Sequence, residues 1–457
     1  MAAKSTLVAP PLDYSRLDGT DALTGGAKYA ADITRPRMLW AKALRSPVPH
    51  ARIVAIETSR ARALPGVHAI LTGADLPDYR LGRSMRDMPV LARDKVRFVG
   101  EKVAAVAAED RETAEQALEL IAVEYEELPA VFDPIDAMQP GAPLIHEPDL
   151  VRAWATPTQK VAEYPNSVSN PVWGATVGEI DEALAACAHV FEHTFRTPVQ
   201  HQGYIEPHAC LVEIDDTGVV HIWASNKAPF LLLEYLRQGI GLERNEVEIH
   251  MLPLGGDFGG KGSFMDIPLV YFLTKASARP VKMVMSYGEE LMAGNPRHAA
   301  VITVKSGFDR KGKLLARWTK SVYNSGAYAA FKPALDATLP RVRYGGLGAY
   351  PEVSTWRVEG HMVYTNTVPC GHMRAPGGAQ PAHSIECHMD LCARAMGIDP
   401  LELKIINAPS HQRKTDNGQP GTVPKARDVL RAAAEAIGWR SSESRVAQRR
   451  SLACTSC

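Results

Sequence analysis

No apolar run in this chain is long enough to cross a bilayer, which takes about 20 consecutive apolar residues. The stretch Met1 to Asp13 has one lysine and a proline pair but no apolar core. Neither a signal peptide nor a twin-arginine leader is expected from it. Net charge is missing too: 51 Lys+Arg balance 51 Asp+Glu. Binders of nucleic acid or of membrane surfaces are usually basic, so both classes are set aside. Cysteine is sparse. Of seven, only Cys454 and Cys457 form a CxxC, and without a second CxxC that pair is thin ground for zinc. No cysteine array for an iron–sulfur cluster and no flavin motif occurs. Free thiols in the cytoplasm are the expectation. Neither H-E-x-x-H nor G-x-S-x-G is present, so zincin and α/β-hydrolase readings have no starting point.

What is present is a chain of 457 residues, 46% hydrophobic and 22% charged, enough for two or three domains with real cores. Met38 to Ile56 reads as strand, Pro-interrupted turn and strand. Lys95 to Ala108 reads as a hairpin turning near Gly100-Glu101, with Val103 to Ala107 as its outer arm. Arg111 to Ile121 places Ala114, Ala117, Leu118 and Ile121 on one helical face. Such mixed order predicts an α+β fold. The segment 146–178 is rich in Pro, Asn, Ser and Thr, as linkers are, although it could also be an ordered surface wrap. Residues 1–145 and 179–440 are the expected domains, and 441–457 an irregular, Ser- and Arg-rich tail. In the second domain, Glu179–Ala188 and Phe230–Ile240 read as helices. Val190–Arg196, Ala209–Glu213, Val219–Ala224 and Val247–Leu254 read as strands. Val301–Phe308 and Leu314–Tyr323 read as a hairpin through Asp309 to Gly312. Pro381 to Met396 is the clearest helix, stopped by Gly397, with Ile385, Met389, Cys392 and Met396 as its apolar stripe.

The strongest local signal is Leu254-Gly-Gly-Asp-Phe-Gly-Gly-Lys-Gly262, between the predicted strand and an apolar helix. Four glycines around one Phe let several amides approach an electron-rich ligand. Gly255-x4-Gly260-Lys261 falls short of a phosphate-binding P-loop, because Gly262 stands where Ser or Thr would coordinate magnesium. No G-x-G-x-x-G fits either. Taken alone, the run could equally be a tight turn that lets helix and strand pack closely.

Gly255 to Lys261 resembles the glycine-phenylalanine motif of the molybdenum hydroxylases, the xanthine dehydrogenase/aldehyde oxidase family. Further blocks resemble that family in the same order: Asp18 to Asp32, Arg45 to Ala51, Val99 to Ala104, Gly203 to Ala209, Trp223 to Pro229 and Arg374-x-x-Gly-x-x-Gln380. The resemblance implies an N-terminal α/β hammerhead domain followed by the first part of a molybdopterin-binding domain. It implies that the loop backbone hydrogen-bonds an oxo ligand of molybdenum, with Phe258 and Gly259 facing the metal and Gly256 a cofactor contact. It makes Lys227 a cofactor contact, at a position where the family often has Gln. Arg374 becomes a cofactor- and substrate-side cation with a catalytic role. Gly262 falls in the substrate pocket, where the family often carries a polar residue. No metal ligand comes directly from the protein. Carbon monoxide dehydrogenases carry Cys three residues before this arginine; here that place is Gly371, so no copper site is expected.

The implied cofactor is molybdopterin, in its cytosine dinucleotide form, with molybdenum. Separate [2Fe–2S] and FAD subunits are the implied partners, and an N-heterocycle or aldehyde the implied substrate, with water as oxygen source. The glutamate that serves the family as general base has no counterpart here. The expectation is therefore a C-terminally truncated subunit, inactive alone, or one half of a divided chain. The competing class is a non-enzymatic scaffold that kept the fold. His388 and Cys392, four apart on the predicted helix, are read as core packing rather than metal ligands. His201 and His208 around Glu206 are read as structural.

Overall fold

The strand Lys102–Ala108 shows how this chain builds its core. Every residue in it is buried, and alternate side chains enter different clusters. Ala105 and Ala107 pack into the main core with Leu39, Val281 and Leu269. Ala104, Val106 and Ala108 pack beneath the helix Arg111–Glu119, against Ala114 and Ala117. Small residues on both faces allow that two-sided packing. The strand is therefore central and not the outer arm of a hairpin. It pairs antiparallel with Leu39–Arg45 on one side and Val67–Thr72 on the other. Lys95–Val96 pairs instead with Ala51–Glu57 in a small three-stranded sheet.

The computed structural model describes residues 18–83, 85–154, 164–331, 346–409 and 425–439. The tail 441–457, with its CxxC, lies outside them. One seven-stranded sheet runs in the order Val247–His250, Val220–Ala224, Ala209–Ile214, Val281–Val284, Leu39–Arg45, Lys102–Ala108, Val67–Thr72. It draws strands from both sides of the 146–178 segment, joined where Leu39–Arg45 pairs parallel with Val281–Val284. The mixed α and β content is the α+β fold expected from the sequence.

A five-stranded sheet follows the order His189–Thr197, Ala300–Phe308, Leu314–Gly326, Thr355–Tyr364, Ser167–Val177. The expected hairpin at Asp309–Gly312 forms within it. The segment 146–178 is no plain linker. It contains the helix Pro148–Trp154 and ends as the edge strand Ser167–Val177, paired antiparallel with Thr355–Tyr364. Its polar composition hid a strand whose partner lies far along the chain. The helix Ala379–Met396 packs on this sheet through Ile385, Met389 and Cys392, all fully buried, and Gly397 ends it at φ 71°. No helix among the described residues is long and apolar enough to cross a membrane.

Candidate functional site

The strand Val247–His250 ends four residues before the expected Leu254, and the next helix begins only at Ile267. The glycine run thus sits in a long irregular connection, not at a helix N-terminus. Its shape comes from side chains instead. Asp257 accepts the Lys261 amide at 2.7 Å and the Lys227 ammonium at 2.6 Å. Glu206 accepts the Gly255 amide at 2.7 Å and the Lys261 ammonium at 2.5 Å. The Lys261 side chain is fully buried and lies 4.8 Å over the Tyr204 ring. Burial depresses its ammonium and Glu206 opposes that shift. Phe258 takes φ +46° and stays 53% exposed. A bulky residue held at positive φ with its ring in solvent is a strained arrangement that packing does not explain.

Gly259 has φ +112°, and a Cβ there would sit 3.0 Å from the His372 carbonyl oxygen. Only glycine lets this loop lie against the segment carrying Arg374. The Arg374 amide donates to the Phe258 carbonyl at 2.7 Å, and Arg297 donates to the Arg374 carbonyl at 2.7 Å. Arg374 is exposed, and its guanidinium meets no protein acceptor among the described residues. The amides of Phe258 and Gly259 likewise have no protein acceptor among them. Behind the loop, Gln202 donates to the His372 carbonyl at 2.7 Å and to the Asn295 carbonyl at 2.9 Å. Gln202 Oε1 and Glu206 Oε1 are buried without partners. Burial, with the Arg83 and Lys227 charges, pushes the His372 imidazole down to about 4, so it is neutral at neutral pH. The structure thus brings Lys227, Gly256, Phe258, Gly259, Gly262 and Arg374 to one loop cluster. Among the described residues it presents two unpaired amide donors and an unpaired guanidinium.

Residues 161–408 match the molybdopterin cofactor-binding domain, and residues 24–129 match the aldehyde oxidase and xanthine dehydrogenase a/b hammerhead domain. The chain belongs to the xanthine dehydrogenase/aldehyde oxidase family of molybdenum hydroxylases. This hydroxylase-family chain is 37% identical over 396 residues to a probable xanthine dehydrogenase subunit of Bacillus subtilis, covering 86% of this chain and 50% of that one. It is 33% identical over 405 residues to the nicotinate dehydrogenase large molybdopterin subunit of Eubacterium barkeri, covering 88% and 90% respectively. Among solved structures, the aldehyde oxidoreductase from Desulfovibrio gigas superposes with a TM-score of 0.81 at 28% identity, covering 93% of this chain and 46% of that one. The chain therefore spans about half of the Bacillus and Desulfovibrio proteins and most of the Eubacterium one.

Within this family member, two departures from the expected pattern touch each other. A Cβ on Gly262 would lie 3.3 Å from Lys227 Cε. A side chain at 262 would need the Lys227 stem to give by a few tenths of an ångström. At Gly371 a Cβ would lie 2.9 Å from the Asn295 Cβ, so a cysteine there would require a shift.

Sequence reasoning missed Glu290. It sits in the helix Tyr287–Ala293, whose capping box, Ser286 with Glu289, was a readable signal. Its carboxylate accepts from Tyr204 Oη at 2.8 Å, from the His208 amide, and contacts His208 Nδ1 at 2.8 Å. His201 Nε2 lies 3.6 Å away. Burial alone would raise the Glu290 carboxyl, but the His208 and Tyr204 contacts hold it down at about 2. His201 and His208 therefore brace the floor beneath the loop. Gln202 and Asn295 gave no local signal, because their partners, mostly backbone carbonyls, are distant in sequence.

His388 and Cys392 are both fully buried, with Sγ 3.4 Å from Nε2, and His193 Nδ1 lies 2.8 Å from His388 Nδ1. Three such groups could hold a metal. The buried Arg317 guanidinium acts on both His388 and Cys392, and a fixed positive charge opposes a second cation. Burial, then Arg317 and His193, pushes His388 down to about 2. An unfolded His388 would protonate near 6.5. The stability held in its neutrality is complete above that pH and is lost as pH falls toward 2, at about 1.4 kcal/mol per pH unit. His388→Gln should flatten the fall in unfolding free energy between pH 6.5 and 4.5 by about one proton's worth. Urea titrations across that range check this; parallel curves for the two proteins would refute it.

Proposed function

We propose that this chain holds the pterin-bound molybdenum of a hydroxylase acting on an N-heterocycle or an aldehyde. The observation that carries this reading is the pair of amides at Phe258 and Gly259 that have no partner among the described residues, tied by backbone to the exposed Arg374. Behind the loop, the buried oxygens Gln202 Oε1 and Glu206 Oε1 have no partner among the described residues and add acceptors to the site. A ligand carrying both oxo groups and ring N–H groups fits such a mixed lining. When bound, the molybdenum centre supplies oxygen insertion with water as the oxygen source.

The chain's own residues supply position and charge. Phe258 and Gly259 donate their amides to an electron-rich ligand atom, and the φ of +105° at Gly256 keeps that approach open. Lys227 brings an ammonium to the same face while bridged to Asp257. Arg374 offers a fixed guanidinium that stabilises negative charge developing on substrate. Gly262 leaves the pocket wall without a polar anchor. We assign the general-base role to no residue of this chain. Separate [2Fe–2S] and FAD subunits, the cytosine dinucleotide form of the pterin, and a cytoplasmic setting complete the proposal. Relatives named as subunits support the partners.

The test is metal and pterin analysis of the chain co-expressed with its partner subunits. About one molybdenum and one pterin per chain are expected, and both should fall in Gly259→Val. A fully assembled complex free of molybdenum would favour the scaffold reading instead.

A further inference from the structure

The far edge of the seven-stranded sheet carries a group of side chains that the glycine-loop site does not use. The strands Val220–Ala224 and Val247–His250 pair in parallel, with His221 opposite Glu248 and Trp223 opposite His250. Because side chains alternate along a strand, all four lie on one face. His250 stacks on Trp223 at 4.3 Å with rings 5° apart, which fixes the imidazole plane. Arg35 lies over the other part of this ladder, 4.1 Å from the Trp223 ring, and is paired with Glu213 at 3.0 Å. Glu213 offsets the charge that Arg35 directs at His250, and Glu248 adds a second negative charge there.

Three donor atoms converge here. His221 Nδ1 is 3.1 Å from His250 Nε2 and 3.4 Å from Glu248 Oε2. Ligand atoms of all three residues lie within 4.8 Å of one another. Zinc bonds of about 2.0–2.2 Å in a tetrahedron give ligand edges of roughly 3.3 Å, close to both spacings. The outer contact is ordered as well. His221 Nε2 lies 3.2 Å from Asp215 Oδ2. Asp215 is itself held by the Thr217 hydroxyl at 2.7 Å and by the Thr217 and Val219 amides, both at 2.9 Å. A carboxylate on Nε2 keeps the proton there and turns the Nδ1 lone pair toward the group, as outer-shell carboxylates do for metal-binding histidines. His221 and His250 are half-buried and Glu248 is exposed, so an ion can enter and water can complete its shell.

We propose that His221, His250 and Glu248 form a surface site for Zn(II), with Asp215 as the positioning residue for His221. Two imidazoles and one carboxylate are a donor set that suits zinc over magnesium or calcium. The ion would clamp the edge strand Val247–His250, which leads directly into the glycine run, to its neighbour. The site is independent of molybdenum.

The test uses the untagged full chain, freed of metal by chelator, and titration with Zn(II) in a calorimeter. One ion per chain at micromolar or tighter affinity is expected, with a rise in Tm on addition. The pair His221→Ala/His250→Ala should lose that ion, Glu248→Gln should weaken it, and Asp215→Asn should weaken it by about 10- to 100-fold. Circular dichroism verifies that each variant is folded. As a second readout, Co(II) should give the visible absorption of a low-symmetry, four- or five-coordinate site in the native chain and lose it in the double variant. No zinc uptake by the native chain overturns the proposal. So does unchanged uptake in the folded double variant, including uptake that disappears only in His388→Gln, which would move the ion to the buried His193–His388–Cys392 group.

Discussion

Lys261→Met is expected to cost about 3–5 kcal/mol, the usual loss when one partner of a buried ion pair is removed. The ammonium is fully buried 2.5 Å from Glu206 Oε2. Removing it leaves a carboxylate that is 10% exposed, holding only the Gly255 amide. Methionine replaces the stem and keeps most of the packing against Tyr204, so the loss isolates the charge. The companion Lys261→Met/Glu206→Gln should regain a good part of the stability, because a neutral amide is far cheaper to bury. Urea unfolding of both variants decides this. A single variant within about 1 kcal/mol of the native protein would show that water reaches the pair and screens it. Since the same carboxylate anchors the first glycine of the loop, molybdenum content should drop with stability in the single variant.

Arg374→Ala should do the reverse. The side chain is exposed and has no partner among the described residues, so unfolding free energy should move by no more than about 0.5 kcal/mol. On the proposed function, turnover in the assembled enzyme should fall by about 10²–10³-fold, the range for removing one electrostatic contact to developing charge. Arg374→Lys should recover part of it, limited by the loss of the planar fork. Steady-state rates per molybdenum, with Tm measured alongside, test this. Poor soluble yield with normal specific activity in the surviving protein would make Arg374 a folding residue and remove it from the site.

Family and fold class were legible because ordered motifs carry them. The run Gly255 to Gly262 marks a tight glycine-rich loop, given a ligand role only by the family resemblance, and the stripe Ile385, Met389, Cys392 reports a buried helix face. Other features were not local. The segment 146–178 reads as a linker since its polar residues carry no alternation, yet Ser167–Val177 is recruited by Thr355–Tyr364. Lys95 to Ala108 reads as a hairpin because it offers two short apolar arms. Pairing went elsewhere because Lys102–Ala108, built of small residues, can pack on both faces. The loop's real supports, Glu206 on Lys261 and Asp257 on Lys227, involve residues about 30 to 55 positions apart. Nothing in spacing alone could assign them.

By itself the sequence determined the kind of protein this is through the resemblance of its ordered motifs to one family, and it determined the local elements because glycine positions, helix caps and apolar periodicity are properties of neighbouring residues and act before any long-range contact forms. Only the tertiary structure decided which amides remain unpaired, which charges are neutralised and which imidazoles face one another. Those outcomes depend on burial and on distances between remote segments. The charge of Lys227 is written in the chain, but its engagement by Asp257 exists only once the two loops meet.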